Sequence, residues 1–165
     1  MLGVVATDGF VRSLQIHSCT FVDHQIPSSE VAKLIRIIRH ARLTGNIKRP
    51  DGKWIDLMSP QALQITLEVA QHPGITMKEL MDASGIALGS VSRNLMALGE
   101  WHRSDMPGLG LIEAVDDPRE YRRKAAFLTK KGCKFVSDLV SIQTGERVSV
   151  LAPSAREWAS SIATI

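Results

Sequence analysis

The stretch from Thr76 to Gly132 constrains the fold more than any other part of this 165-residue chain. Thr76 can cap a short helix over residues 77–83, Gly85 breaks it, and a second helix is predicted from about 88 to 100. Two short helices around a glycine-containing turn, with apolar residues at Leu80, Ile86, Val91, Leu95 and Leu98, are what a helix-turn-helix needs to hold its crossing angle. Residues 111–115 and 124–128 then read as two strands flanking a charged tip, and Thr129 caps a further helix. This is the order of a winged helix-turn-helix. The predicted fold is therefore mainly α with a small β-wing and flanking helices available for dimerisation.

The flanks are less uniform. In residues 1–28, Phe10, Leu14, His17 and Phe21 fit a helix while Leu14, Ile16 and Ser18 fit a strand, so the segment stays unassigned. Ser28, Ser29 and Glu30 introduce a helix with an apolar stripe of Val31, Leu34, Ile35, Ile38 and Leu43. Its other face carries Lys33, Arg36, Arg39 and Arg42, and Gly45-Asn46 stops it. The run Arg49-Pro50-Asp51-Gly52-Lys53 favours a turn, in a linker or short hairpin. Ser59-Pro60 starts the next helix, with Leu63, Ile65, Leu67, Val69 and Ala70 predicted inward and His72-Pro73-Gly74 as its stop. Beyond the wing, Phe135, Val136, Leu139 and Val140 share one helix face that Gly145 ends. A last amphipathic piece with Ala155, Trp158, Ala159 and Ile162 is too short to stand alone and needs a surface to pack on. The chain thus divides into residues 1–28, a helix and linker at 29–58, a winged helix-turn-helix domain at 59–132, and C-terminal helices at 133–165. The second and fourth parts are the dimerisation candidates.

Charge and composition narrow the function classes. Twenty Lys and Arg against 17 Asp and Glu give a formal net charge of +3, which leans toward an acidic partner without selecting one. No run of about 18 uncharged apolar residues occurs, and the first six residues carry no Lys or Arg before their apolar run, as a signal peptide would require. A cytoplasmic protein is expected. Cys19 and Cys133 lie far apart and form no CxxC site; each reads as a buried or half-buried thiol. His17, Cys19, Asp23 and His24 are metal-ligand types close together, but their spacing fits no strong zinc pattern. No metal and no other cofactor is predicted. The chain has no phosphate loop with Lys-Ser/Thr, no GxSxG and no HExxH, so an enzyme is not expected.

Two motifs carry a family resemblance. Asp117-Pro118-Arg119-Glu120-Tyr121-Arg122-Arg123-Lys124, leading without a gap into Leu128-Thr129-Lys130-Lys131-Gly132, resembles the wing signature of MarR-family regulators. There an Asp-x-Arg-acid-x-Arg tip precedes a Leu-Thr-x-x-Gly helix start. Residues 85–98, including Ser90-Val91-Ser92-Arg93-Asn94, resemble the turn and recognition helix of the same family, and the match covers roughly the middle half of the chain. The resemblance implies a sequence-specific, double-stranded DNA-binding transcriptional regulator acting as a repressor. It further implies that Arg122 is the arginine inserted into the minor groove, with Glu120 bracing it.

The residues support that chemistry independently of the name. A helix fits the major groove, where Arg can bond guanine O6 and N7, Asn can bond adenine N6 and N7, and Ser can bond a base edge or phosphate. Arg93 and Asn94 are the predicted readers, with Ser90 and Ser92 beside them. Arg119, Arg122, Arg123 and Lys124 crowd a hairpin thin enough to approach the minor groove. Lys53, Arg103, Arg123, Lys124, Lys130 and Lys131 are candidates for phosphate contacts.

Two features depart from the family pattern. Between Leu98 and Gly110 relatives pass almost directly to the wing, whereas residues 99–109 add a loop here. Its Trp101, His102 and Arg103 combine a stacking surface with positive charge, although a partly buried Trp closing a loop is the commoner reason for such a residue. At the N-terminus an ambiguous segment and the helix from Ser29 stand where relatives have a dimerisation helix. A homodimer is expected because the stripe on that helix and the amphipathic ends near Val136 and Trp158 all need covering. Two other readings keep the fold: a replication or partition protein of a mobile element, and a protein-binding adaptor.

Overall fold

The computed structural model describes residues 28–103, 106–117 and 120–162, excepting the side chains of Arg103, Tyr121, Arg122, Ser161 and Ile162. Helix α1 (Ser28–Gly45) leads into a hairpin, β1 (Asn46–Lys48) and β2 (Trp54–Asp56), and then into α2 (Pro60–Gln71). The Arg49 to Lys53 run is therefore the turn of a hairpin. Ser59 caps α2, its Oγ accepting from Ala62 N at 3.0 Å, and Pro60 occupies the first turn, where a missing N–H costs nothing.

A short strand, β3 (Ile75–Thr76), runs directly into α3 (Met77–Ser84). A reciprocal capping box fixes that junction: Thr76 N donates to Glu79 Oε2 at 2.8 Å, and Glu79 N donates to Thr76 Oγ1 at 3.3 Å. Gly85, at φ +68°, ends α3 in a left-handed conformation that other residues resist. Helix α4 (Leu88–Leu98) follows, with Val91, Leu95 and Leu98 buried as predicted.

The inserted segment contains a second antiparallel pair, β4 (Trp101–Arg103) with β5 (Met106–Pro107). Backbone bonds from Leu109 N to Ala97 O, Gly110 N to Gly99 O and Leu111 N to Leu98 O close it onto the end of α4. The wing thus starts where the recognition helix stops, and the insertion does not displace it. Trp101 does not close this loop as a buried residue; it stands 61% exposed.

The wing strands, β6 (Ile112–Asp117) and β7 (Glu120–Leu128), pair antiparallel from Ile112↔Leu128 to Asp117↔Glu120, reaching further toward the tip than the sequence pattern marks. With β3 they make a three-stranded sheet in the order β3-β7-β6. Pleat alternation gives the sheet two apolar faces. Ile112, Ala126 and Leu128 join the main core with Ile65, Val69, Leu80, Val91 and Leu98. Val115, Ala125 and Phe127 turn the other way, onto α6 (Ala155–Ile162), where Trp158 packs on Phe127 at 5.1 Å between ring centroids.

Helix α5 (Lys130–Thr144) docks against α1 and α2. The Leu-Thr-x-x-Gly sequence has a steric basis: a Cβ on Gly132 would lie 2.1 Å from the Leu111 carbonyl oxygen, which also accepts from Thr129 N. Only glycine allows the first turn of α5 to sit this close to the start of the wing.

One inward expectation changes, and the faces expected to need covering are placed. Leu67 is exposed, because α2 turns Ala62, Ile65, Thr66 and Val69 to the core instead. Val136 is buried and Trp158 is half-buried on Phe127, so neither C-terminal face is left uncovered within the chain. On α1 the core-facing residues are Ile37, His40 and Ala41; His40 stacks on Phe135 at 5.6 Å. Val31, Leu34, Ile35, Ile38 and Leu43 remain exposed, with Arg39 and Arg42, expected on the other face, lining the same surface as Ile35, Ile38 and Leu43.

Candidate nucleic-acid interface

The outward side of α4 carries Ser90, Ser92, Arg93 and Asn94, as predicted, but the four are not equivalent. Arg93 is exposed, and its Nη2 donates to Ser90 Oγ at 3.0 Å, one helical turn back. This bond lays the guanidinium along the helix without burying it. Ser92 is half-buried and faces the wing across a groove of about 740 Å³ that Met96, Trp101 and Lys124 also line.

Asn94 is half-buried and already bonded to neighbours in the chain. Its Oδ1 accepts from Ser59 Oγ at 3.1 Å, and its Nδ2 donates to Ser90 O at 2.8 Å and Gln61 Oε1 at 3.3 Å. A bidentate bond to adenine needs the same oxygen and the same amide hydrogens. In this arrangement Asn94 ties the recognition helix to the first turn of α2 and does not present a free reading edge. No sequence signal pointed to this tether, since Ser59 lies 35 residues away.

On the wing, Arg123 Nη1 pairs with Glu120 Oε2 at 3.1 Å, and Lys124 Nζ pairs with Asp116 Oδ1 at 3.3 Å. All four side chains are exposed, so these pairs are weak and open to exchange for phosphate. The Glu120 hydrogen bond raises the Arg123 guanidinium above its ordinary value, and Glu79 and Asp117 add attraction. Glu120 accepts from Arg123, and its expected bracing of Arg122 involves a side chain outside the described residues. Arg119, and the side chains of Arg122 and Arg103, lie outside the described residues.

The remaining cations separate in the same way. Lys53 and Lys130 are exposed. Lys131 is also exposed, and its Nζ donates to Leu109 O at 2.7 Å, which ties the inserted hairpin to α5. Cys133 is half-buried on α5, whereas His17, Cys19, Asp23 and His24 lie outside the described residues. No helix among the described residues is long and apolar enough to cross a membrane.

No protein-family model and no curated protein matches the chain. Among solved structures it is similar to the crystal structure of MarR, at 22% identity and a TM-score of 0.45, over 73% of this chain and 77% of that one. It is also similar to the S. aureus MepR–DNA complex, at 18% identity and a TM-score of 0.48, over 83% and 85% of the two chains. A SlyA-like transcription regulator from Listeria monocytogenes matches at 17% and 0.47, over 82% and 68%. The assignment as a winged helix-turn-helix rests on the element order and strand pairing of this chain itself.

Proposed function

We propose that the protein is a sequence-selective, double-stranded DNA-binding transcriptional regulator that works as a homodimer and represses by occupancy. The observation that carries the reading is the pairing of an exposed Arg93 on α4 with exposed Arg123 and Lys124 on a wing that starts where that helix ends. An α-helix with an outward arginine suits the major groove, and a thin cationic hairpin beside it suits the adjacent backbone and minor groove. Arg103, Arg119 and Arg122 complete the cationic set by sequence. No catalytic role, cofactor or metal is part of this proposal, and its place of action is the cytoplasm.

Dimerisation is the second half of the reading. The exposed apolar face of α1 is what a two-fold partner would cover, and a dimer would set two recognition helices about one DNA turn apart. The test is fluorescence-anisotropy titration with the gene's own upstream duplex and a scrambled one at several salt concentrations, beside Arg93→Ala. Tight, sequence-dependent binding that the variant loses is the expected result. Equal weak binding to both duplexes would remove the autoregulatory reading and turn the search toward another DNA site or a protein partner.

A further inference from the structure

The β1–β2 hairpin has an outer face that the fold does not use. Pairing sets Ile47 opposite Ile55 and Lys48 opposite Trp54. Alternation along the two strands then sends the isoleucines to the core and Lys48 and Trp54 to the opposite face. Trp54 is 69% exposed, the largest side chain type left that open, and Lys48, Arg49 and Lys53 around it are exposed as well. Arg49 pairs with Asp51 at 3.6 Å, an exposed and therefore weak pair, and Lys48 and Lys53 flank the indole beside it.

The root of this hairpin is rigid and adjoins the recognition helix. Leu57 N donates to Gly45 O at 2.9 Å, Met58 N donates to Asp56 Oδ1 at 2.9 Å, and Leu57 and Met58 are buried. A Cβ on Gly45 would fall 2.3 Å from Met58 Cβ and 2.4 Å from Asp56 Oδ1, so only glycine lets α1 close on the strand that returns. The next residue, Ser59, is the one bonded to Asn94 of α4. Three residues after β2, the chain is in contact with the helix that carries Arg93.

We infer that the β1–β2 hairpin is a second, flanking DNA-contact element, with Lys48 and Lys53 on backbone phosphates and Trp54 against the sugar face beside them. The occupant is duplex DNA extending past the segment read by α4, so the inference rests on the DNA-binding reading above. Charge selects the partner: two open lysines around an exposed indole match an anionic polymer with apolar sugar edges. The contact is to the backbone, so it adds affinity without adding sequence preference.

The experiment uses the full chain and a duplex of about four helical turns, selected from a random library by the wild-type protein, with a scrambled duplex of equal length. Affinity is measured against salt for wild type, the Lys48→Ala/Lys53→Ala pair, Trp54→Ala and Arg93→Ala. The lysine pair is expected to lower the salt slope by about 2, at roughly 0.9 per phosphate contact, and to weaken both duplexes by the same factor. Trp54→Ala is expected to weaken both several-fold with the slope unchanged, while Arg93→Ala alone narrows the ratio between duplexes. A lysine pair with wild-type slope and affinity, beside an impaired Arg93→Ala, overturns the hairpin contact and leaves the DNA reading standing. A wild-type protein that enriches no sequence and binds neither duplex overturns both. Because all three hairpin residues are exposed, matching thermal melts verify that the variants are folded.

Discussion

Arg93 and Asn94 are neighbours on one helix, yet they do different work. Arg93 is exposed and held only by Ser90, so its guanidinium is free to exchange that bond for a guanine edge. Arg93→Ala is expected to cost about 1–3 kcal/mol of discrimination at one base pair, read as a narrowed affinity ratio between selected and mismatched duplexes. Asn94 instead joins α4 to Ser59 and Gln61 of the α2 start. Asn94→Ala should lower stability by about 1 kcal/mol or more in urea melts, as the lost interhelical bonds require. A double-mutant cycle with Ser59→Ala should show coupling between the two; additive effects would mean the tether contributes nothing. Sequence alone equated these two residues because both are side chains that can read bases. Their difference lies in what stands opposite each one.

At the scale of elements, caps and close contacts set where each helix begins. The Thr76 backbone N–H, and then its hydroxyl, hold the Glu79 carboxyl below its ordinary value. A carboxylate with a depressed folded-state pKa stabilises above its unfolded value and loses that contribution as pH falls through the folded one. The stability gap between wild type and Glu79→Ala, measured by urea unfolding, should therefore be full at neutral pH and close below about pH 4.5. A gap that persists at low pH would assign the effect to helix propensity instead. The junction of α5 with the wing is a second such point. Gly132→Ala forces a Cβ toward the Leu111 carbonyl and is expected to cost about 1–3 kcal/mol, checked by the same melts. These elements were legible because caps and turn glycines act within a few residues. In the sequence the inserted hairpin shows only as a loop, since its anchoring bonds run to Ala97, Leu98 and Gly99 and leave no local pattern.

For the whole molecule the exposed face of α1 is the main unspent apolar surface among the described residues. Leu34 and Ile38 are 56% and 58% exposed at its centre. A Leu34→Glu/Ile38→Glu variant should sediment as a monomer where wild type sediments as a dimer, with the fold intact because neither side chain enters the core. Its DNA affinity should fall steeply, since two half-sites would no longer be bound as one event. A wild type that sediments as a monomer at all concentrations would remove the dimer from the proposed mechanism.

The sequence by itself determined the winged-helix order, the helix boundaries at Ser59, Thr76, Gly85, Thr129 and Gly145, and the inward set Val91, Leu95 and Leu98. Those follow from capping chemistry and helical period, which are local. Tertiary structure decided that Lys131 donates to the inserted hairpin while Lys124 pairs with Asp116, that Trp158 covers Phe127 while Trp54 and Trp101 stay open, and that Asn94 bonds to Ser59. Residue type states what a side chain can bond. Only the packed chain determines which partner is within hydrogen-bond distance and which side chains are left for DNA.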